Sequence, residues 1–184
     1  MRDVVERAKE LAHRAHAGQV DKAGRPYIEH VSRVAAAVRE DGRCGNEDCN
    51  GHGEIVHWDS AGCGDPSCCS PATSPCPHCD EAEAVAWLHD VLEDCPDFWD
   101  EVYQFPGEVF GPVECLTRGC YNYPKLYYRI IRDVPLALRV KLADIADNAS
   151  ENRLALLDEK TAARLRRKYA KALEALKGGE DERG

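Results

Sequence analysis

Hydrophobic and polar positions alternate with helical spacing along most of the chain. Apolar residues recur every three or four positions from Val4 to Ala17, again from Tyr27 to Arg39, and again from Asp80 to Leu92. Further segments with the same spacing follow, around 98–103, at 112–117 with Pro112 in the first turn, from about 124 to 132, at 135–148 and at 159–176. We find no internal repeat and no strand-like alternation of useful length. The pattern therefore predicts an all-α fold.

Residues 41–79 interrupt this pattern. They are rich in Gly, Pro, Ser, Cys and His and contain few large apolar side chains. A segment of this composition cannot bury enough surface to fold on its own, so it is either disordered or held together by a cross-link. We predict one helical domain over residues 1–177, a Cys-rich insertion at 41–79 and a disordered tail at 178–184.

Seven of the ten cysteines fall in this insertion. The spacing of Cys76-Pro77-His78-Cys79 lets two thiolates face one ion, and either Cys44 with Cys49 or Cys63 with Cys68 supplies the other half of a zinc site. We predict one structural Zn²⁺, with a second left open, and the candidate ligands are Cys44, Cys49, Cys63, Cys68, Cys76 and Cys79. A disulfide or reactive-thiol loop is the alternative, and vicinal Cys68 and Cys69 leave redox sensing open.

Charge is distributed unevenly along the chain. The net charge is −9, but residues 44–117 contain sixteen Asp and Glu and no Lys or Arg, which leaves +7 on the flanks. This asymmetry argues against nucleic acid binding to the middle of the chain and suits a cation site with basic partners from the flanks. No run reaches the length of a membrane span, and the N-terminus leads directly into an amphipathic helix. We expect a cytoplasmic protein without a membrane or nucleic acid partner, and we leave homo-oligomer formation open.

The stretch 86–94, Ala-Trp-Leu-His-Asp-Val-Leu-Glu-Asp, concentrates the ionisable groups. If it is one helix, His89 and Glu93 share one strip, and Asp90 and Asp94 share the next. Carboxylates at that spacing repel each other unless a cation lies among them. The stretch therefore predicts a metal centre.

Three ordered stretches resemble the HD phosphohydrolase superfamily, and more narrowly its alarmone-hydrolase branch, which contains the hydrolase halves of the Rel/Spo enzymes and the small alarmone hydrolases. The stretches are His16-Ala17-Gly18-Gln19 with Gly24-Arg25-Pro26-Tyr27-Ile28-Glu29-His30, then His89-Asp90-Val91-Leu92-Glu93-Asp94, then Val140-Lys141-Leu142-Ala143-Asp144-Ile145-Ala146-Asp147-Asn148. Together they span about 130 residues, and the resemblance covers the chain except 44–79 and the tail. It implies an HD-domain helical bundle.

The resemblance also implies an enzyme, a manganese-dependent hydrolase that removes the 3′-pyrophosphate from guanosine tetra- or pentaphosphate. By its motifs the metal ligands are His30, His89, Asp90 and Asp144, a mixed set that suits Mn²⁺ or Fe²⁺. The catalytic acid pair is Glu93 and Asp94, which would orient or deprotonate water and assist the leaving group. The residues expected to contact the phosphorylated nucleotide are Lys22, Tyr27, Lys141 and Asn148.

The sequence departs from the family in the first motif. Many alarmone hydrolases have Arg-Lys before the glycine, with the Arg stacked on guanine, where this chain has Asp21-Lys22. Three alternatives to an alarmone hydrolase therefore stay open. They are a phosphatase acting on another nucleotide such as the 2′-phosphate of NADPH, a non-catalytic nucleotide sensor, and a zinc-stabilised interaction module.

Overall fold

The structure, a computed structural model, describes residues 2–41, 49, 54–57, 72–120 and 124–178. Over these residues the chain is mostly helical, which confirms the predicted all-α class at that level. The helices are α1 (Arg2–Ala15), α2 (Tyr27–Glu40), α3 (Pro77–Leu88), α4 (Val91–Asp94), α5 (Trp99–Tyr103), α6 (Gly107–Leu116), α7 (Pro124–Asp133), α8 (Pro135–Asn148), α9 (Glu151–Leu154) and α10 (Glu159–Lys177). Two short strands, β1 (Glu54–His57) and β2 (Ala72–Pro75), and 3₁₀ turns at Pro96–Phe98 and Arg118–Cys120 complete the described elements.

Helix α3 lies at the centre of the domain. Helices α1 and α2 pack on one part of its surface, and α6 and α8 pack on the rest. Small residues allow these close approaches, because Ala82, Ala84 and Ala86 of α3 are fully buried beside Val85 and Leu88. A helix that is apolar on nearly all sides belongs in a core rather than on a surface. His89, which follows the last turn of α3, therefore lies in the protein interior.

Several predicted boundaries are confirmed by the local geometry. Helix α8 begins at Pro135 and ends at Asn148, as the sequence predicts, with proline in the first turn. Helix α10 begins after Asp158, whose side chain accepts a hydrogen bond from the backbone N–H of Thr161. It ends at Gly178, which adopts the left-handed conformation at φ 73° that glycine permits without strain.

The predicted helix over 80–92 is wrong in one respect. Helix α3 ends at Leu88, Asp90 adopts φ −106° and ψ −5°, and the short helix α4 begins at Val91. His89 and Asp90 therefore occupy a corner between two helices. The ionisable groups of this stretch do not share the strips of one continuous helix.

The position expected for Pro112 is also wrong. Helix α6 begins at Gly107, after Pro106, so Pro112 lies inside the helix and is buried. Proline in a helix interior removes one backbone hydrogen bond, and Pro112 occupies such a position in the core. The earlier proline therefore marks the true start of α6.

The described part of the insertion contains a hairpin that the sequence pattern did not predict. Strands β1 and β2 pair in antiparallel fashion, with Glu54 opposite Pro75, and Cys49 forms an isolated bridge with Ile55. Strands of four residues are too short to produce a clear alternation in sequence. The rest of the insertion, including Cys44, Cys63 and Cys68, and the tail after Gly178 lie outside the described residues.

Among the described helices, none combines the length and the hydropathy that a bilayer span requires.

Candidate metal centre and cavity

Two buried imidazoles and two carboxylates meet where α2, the α3–α4 corner and α8 come together. His30 Nε2 lies 3.4 Å from Asp144 Oδ1 and 3.8 Å from Asp90 Oδ2. His89 Nε2 lies 3.0 Å from Asp90 Oδ2 and 3.9 Å from Asp144 Oδ1. The four residues predicted as metal ligands, separated by up to 114 positions in the sequence, are thus brought together.

The other nitrogen of each imidazole has an acceptor of its own. His30 Nδ1 lies 2.7 Å from Asp147 Oδ2 and 2.8 Å from Arg153 Nη1, and His89 Nδ1 lies 2.7 Å from the backbone carbonyl of Ala86. When Nδ1 donates its proton to such an acceptor, the lone pair of a neutral imidazole is on Nε2. Both Nε2 atoms are buried and make no hydrogen bond of acceptable geometry, despite the nearby carboxylates. Their positions are compatible with ligation of a metal ion.

The donor set fits a divalent metal ion. One nitrogen from His30, one from His89 and one oxygen from Asp144 lie within 4.8 Å of one another, close enough to share an ion. Asp90 lies beside the same two nitrogens and adds a fourth donor. Mixed imidazole and carboxylate sites bind Mn²⁺, Fe²⁺, Zn²⁺ and related ions. The cluster is compatible with any of these ions.

The electrostatics of the cluster favour a cation. Burial alone would lower the pKa of His89, but the Asp90 and Asp144 carboxylates raise it to about 9. Burial opposes ionisation of Asp90, yet the adjacent His89 holds the pKa of that carboxyl well below its usual range. In the metal-free protein a proton on His89 thus balances the carboxylates, and a divalent ion has to displace that proton.

Asp144 is oriented by two neighbours on its own helix. Lys141 Nζ donates to Asp144 Oδ2 at 2.7 Å, and Asn148 Nδ2 donates to Oδ1. Burial alone would lower the pKa of Lys141, but Asp144 and neighbouring groups raise it, so this lysine keeps its charge. Both residues were predicted to contact substrate, and both line the cavity described below. Their direct partner in the structure is the carboxylate of Asp144.

An open cavity of about 390 Å³ adjoins the cluster. Asp90 and Asp144 form part of its wall, and so do the predicted catalytic residues Glu93 and Asp94. All four residues predicted to contact substrate also line it: Lys22, Tyr27, Lys141 and Asn148. The structure therefore brings every predicted catalytic and substrate-binding residue to one cavity.

The acid pair on α4 occupies a distinct environment. Burial, together with the negative charges of Asp90 and Glu93, raises the pKa of Asp94. Glu93 accepts a hydrogen bond from the backbone N–H of Arg118 at 3.3 Å. Tyr27 donates to Asp90 Oδ2 at 2.6 Å, so its hydroxyl braces a carboxylate of the cluster. The two carboxyl groups of the acid pair therefore differ in environment.

Sequence reasoning missed the network behind His30. Asp147 accepts hydrogen bonds from Arg33 Nε at 2.6 Å and from Arg153, and Arg153 also binds Asp21 Oδ2 at 3.1 Å. Burial alone would raise the pKa of Asp147, but its hydrogen bonds with His30, Arg33 and Arg153 hold it well below its usual range. The adjacent Asp147-Asn148 pair in the third motif was a sequence feature that pointed to this role.

Two basic residues of the cavity wall were also missed. Arg118 follows α6, and Lys168 comes from α10, far from the three motifs. Burial and the positive charges of Arg118, Lys22 and Lys141 lower the pKa of Lys168. A cluster of cations that repel one another favours an anionic ligand. Nothing in the helical pattern of α10 marks Lys168 as different from its neighbours.

A second cluster that can hold a metal lies at the start of α3. Sulfur atoms of Cys49, Cys76 and Cys79 lie within 4.8 Å of one another, and Cys49 Sγ is 3.8 Å from Cys79 Sγ. Three of the six predicted zinc ligands are thus brought together. The other three belong to the part of the insertion that the structure does not describe.

Comparison with models of known protein families and with curated proteins finds no match for this chain.

Proposed function

We propose that this protein is a divalent-metal-dependent phosphohydrolase that acts on a phosphorylated nucleotide. The observation that carries the proposal is the pair of buried Nε2 atoms of His30 and His89, which face Asp144 and Asp90 beneath a cavity with basic residues in its wall. Basic residues match phosphate groups, and the acidic cluster matches a cation. The best candidate reaction is removal of the 3′-pyrophosphate from guanosine 3′,5′-bis(diphosphate), as the three sequence motifs imply.

Mn²⁺ or Fe²⁺ held by His30, His89, Asp90 and Asp144 would supply a Lewis acid that lowers the pKa of a water molecule towards neutrality. Glu93, which lines the cavity, would accept a proton as water attacks phosphorus. Asp94, whose pKa is raised by burial and by the charges of Asp90 and Glu93, would donate a proton to the 3′ oxygen as the P–O bond breaks. The products are pyrophosphate and a nucleotide with a free 3′ hydroxyl.

The cations of the cavity would hold the remaining phosphates. Lys22, Arg118 and Lys168 line the cavity, whereas the ammonium group of Lys141 is bound to Asp144. A substrate with several phosphates would offset the mutual repulsion of these cations. Binding through charge, rather than through an apolar pocket, suits a polyphosphorylated substrate.

Asp21 bears on the choice of nucleotide. Its Oδ1 accepts hydrogen bonds from the backbone N–H groups of Ala23 at 2.8 Å and Arg25 at 3.0 Å. Its Oδ2 accepts a hydrogen bond from the guanidinium group of Arg153. Asp21 therefore shapes the loop and does not provide the flat cationic surface on which a guanine base would stack. This feature favours a second candidate within the same class, a phosphatase acting on another nucleotide such as the 2′-phosphate of NADPH.

The test is metal analysis of the purified protein beside a hydrolysis panel with and without Mn²⁺. Pyrophosphate release from guanosine tetraphosphate that requires Mn²⁺ is the expected result. Release of orthophosphate from NADPH, with no pyrophosphate from the alarmone, would favour the second candidate. Tight nucleotide binding with no hydrolysis of any panel member in Mn²⁺ would favour a sensor and contradict both.

A further inference from the structure

We propose that the thiols of Cys49, Cys76 and Cys79 bind one Zn²⁺ that closes the open end of the β1–β2 hairpin and fastens it to α3. This inference is independent of the proposed hydrolase function. It rests on the positions of three sulfur atoms, two of them from one turn of chain and the third from a residue 27 positions earlier.

The separation of the sulfur atoms matches a shared zinc ion. In a tetrahedral site with Zn–S bonds of about 2.3 Å, neighbouring sulfur atoms are about 3.8 Å apart. Cys49 Sγ and Cys79 Sγ are 3.8 Å apart. A disulfide requires sulfur atoms at about 2.05 Å, so the observed separation does not correspond to one. Three thiolates fill three of the four positions that a tetrahedral ion requires.

The local chain geometry explains how Cys76 and Cys79 come to face one point. Cys76 precedes the first residue of α3 and is completely buried, and Pro77 fixes the first helical position. The backbone N–H of Cys79 binds the carbonyl of Cys76 at 3.2 Å, which folds the two residues into one turn. Thiolates at the start of a helix also benefit from the positive end of its dipole.

The hairpin would gain stability from an ion bound by these three thiols. Cys49 precedes β1 and forms a β-bridge with Ile55 of that strand. Strand β2 ends at Pro75, directly before Cys76. The three thiols therefore lie at the same open end of the hairpin. A two-stranded hairpin of this length is at best marginally stable alone, so an ion that joins its ends supplies folding free energy.

The thiol cluster and the His/Asp cluster lie at opposite ends of α3. Cys76 precedes the helix and His89 follows it, a separation of about 20 Å at 1.5 Å per residue. The two sites therefore share no ligand. Soft thiolates select Zn²⁺, while imidazole with carboxylates also accepts Mn²⁺ or Fe²⁺, so we expect different ions to occupy them.

The experiment measures zinc and manganese per chain in the full-length protein, purified under reducing conditions with both metals supplied. Wild type is expected to carry a stoichiometric zinc ion. Cys79→Ser should lose it, whereas Cys115→Ser, which removes a thiol on α6, should retain it. Asp90→Asn should lose the ion at the other cluster and keep zinc. Full zinc retention by Cys79→Ser would overturn the proposal.

A second measurement does not depend on any variant folding. Wild-type protein stripped of metal and refilled with Co²⁺ should show the intense sulfur-to-cobalt charge-transfer absorption and the visible bands of a tetrahedral thiolate site. Alkylation mapped by mass spectrometry should then find Cys49, Cys76 and Cys79 protected by Zn²⁺ and exposed to reagent after chelation. A cobalt spectrum without charge-transfer bands would overturn the proposal, even in a protein that hydrolyses nucleotides.

Discussion

Asp147 Oδ2 lies 2.7 Å from Nδ1 of His30, and this contact determines which nitrogen of the imidazole faces the acidic cluster. The carboxylate is itself held by Arg33 and Arg153, so the ring has little freedom to turn. Partners of this kind behind a ligating histidine typically change metal affinity by 10- to 100-fold.

Asp147→Asn should therefore weaken Mn²⁺ binding by about 10- to 100-fold while leaving the four direct donors in place. The amide can still accept a hydrogen bond from Nδ1, but it no longer carries the charge that favours donation by the ring. Mn²⁺ titration followed by calorimetry measures the effect. Asp133→Asn, an exposed aspartate at the end of α7, is the matched control and should bind Mn²⁺ like wild type. Unchanged affinity in Asp147→Asn would contradict the positioning role.

Asp90 and Glu93 should give different results when each loses its charge. Asp90→Asn should remove the catalytic ion with little loss of fold, because its partners Tyr27 and His89 remain in place. Glu93→Gln should keep the ion and slow turnover by about 10²- to 10⁴-fold, the usual contribution of a general acid or base. Metal content and kcat measured on the same preparations separate the two roles. Full metal and full activity in Asp90→Asn would show that the site is wrongly assigned.

The affinity for Mn²⁺ should rise with pH. In the metal-free protein the pKa of His89 is raised to about 9, so below that pH a metal ion has to displace a proton. Displacement of the His89 proton predicts an affinity that increases at least about tenfold per pH unit up to about pH 9 and then levels off. His30, whose pKa is also raised, makes the slope steeper where it too is protonated. Dissociation constants measured at several pH values test this slope. A pH-independent affinity between pH 6.5 and 9 would contradict it.

The stability of the metal-free protein should have the opposite dependence on pH. A histidine whose pKa is higher in the folded than in the unfolded state stabilises the fold fully below its ordinary pKa, about 6.5. That contribution is lost as pH rises through the folded value of about 9. Denaturant unfolding of chelator-treated protein should show a falling free energy of unfolding over this range. His89→Gln, which removes one of the two rings whose pKa is raised, should show a smaller fall than wild type, with the contribution of His30 remaining.

Lys168 should act on substrate binding rather than on chemistry. It lines the cavity beside other cations, and burial together with their positive charges lowers its pKa. Lys168→Gln should raise KM about tenfold, equivalent to about 1.4 kcal/mol, and change kcat much less. Lys171→Gln removes an exposed charge from the same helix and should leave KM near the wild-type value. A loss confined to kcat would place Lys168 in the chemical step instead.

Sequence reasoning succeeded where a local pattern or the order of the motifs determines the answer. The period of apolar positions and Pro135 define α8, and four residues on different elements were grouped from motif order alone. It failed where tertiary packing decides. Apolar spacing continues through Leu92, yet the helix breaks at Asp90, because a corner places His89 and Asp90 against α2 and α8. Lys168 looked like any exposed helix lysine because its role depends on contacts between distant segments.

Arg153 has a consequence for the order of events at the cavity. One of its nitrogens binds Asp147 behind His30, and the other binds Asp21 in the loop that carries Lys22. The guanidinium group thus connects the candidate metal cluster with the cavity that would bind the proposed nucleotide. If one ligand orders the Arg153 side chain and thereby favours binding of the other, the same coupling free energy acts in both directions. Metal and nucleotide should therefore assist each other reciprocally, whichever arrives first.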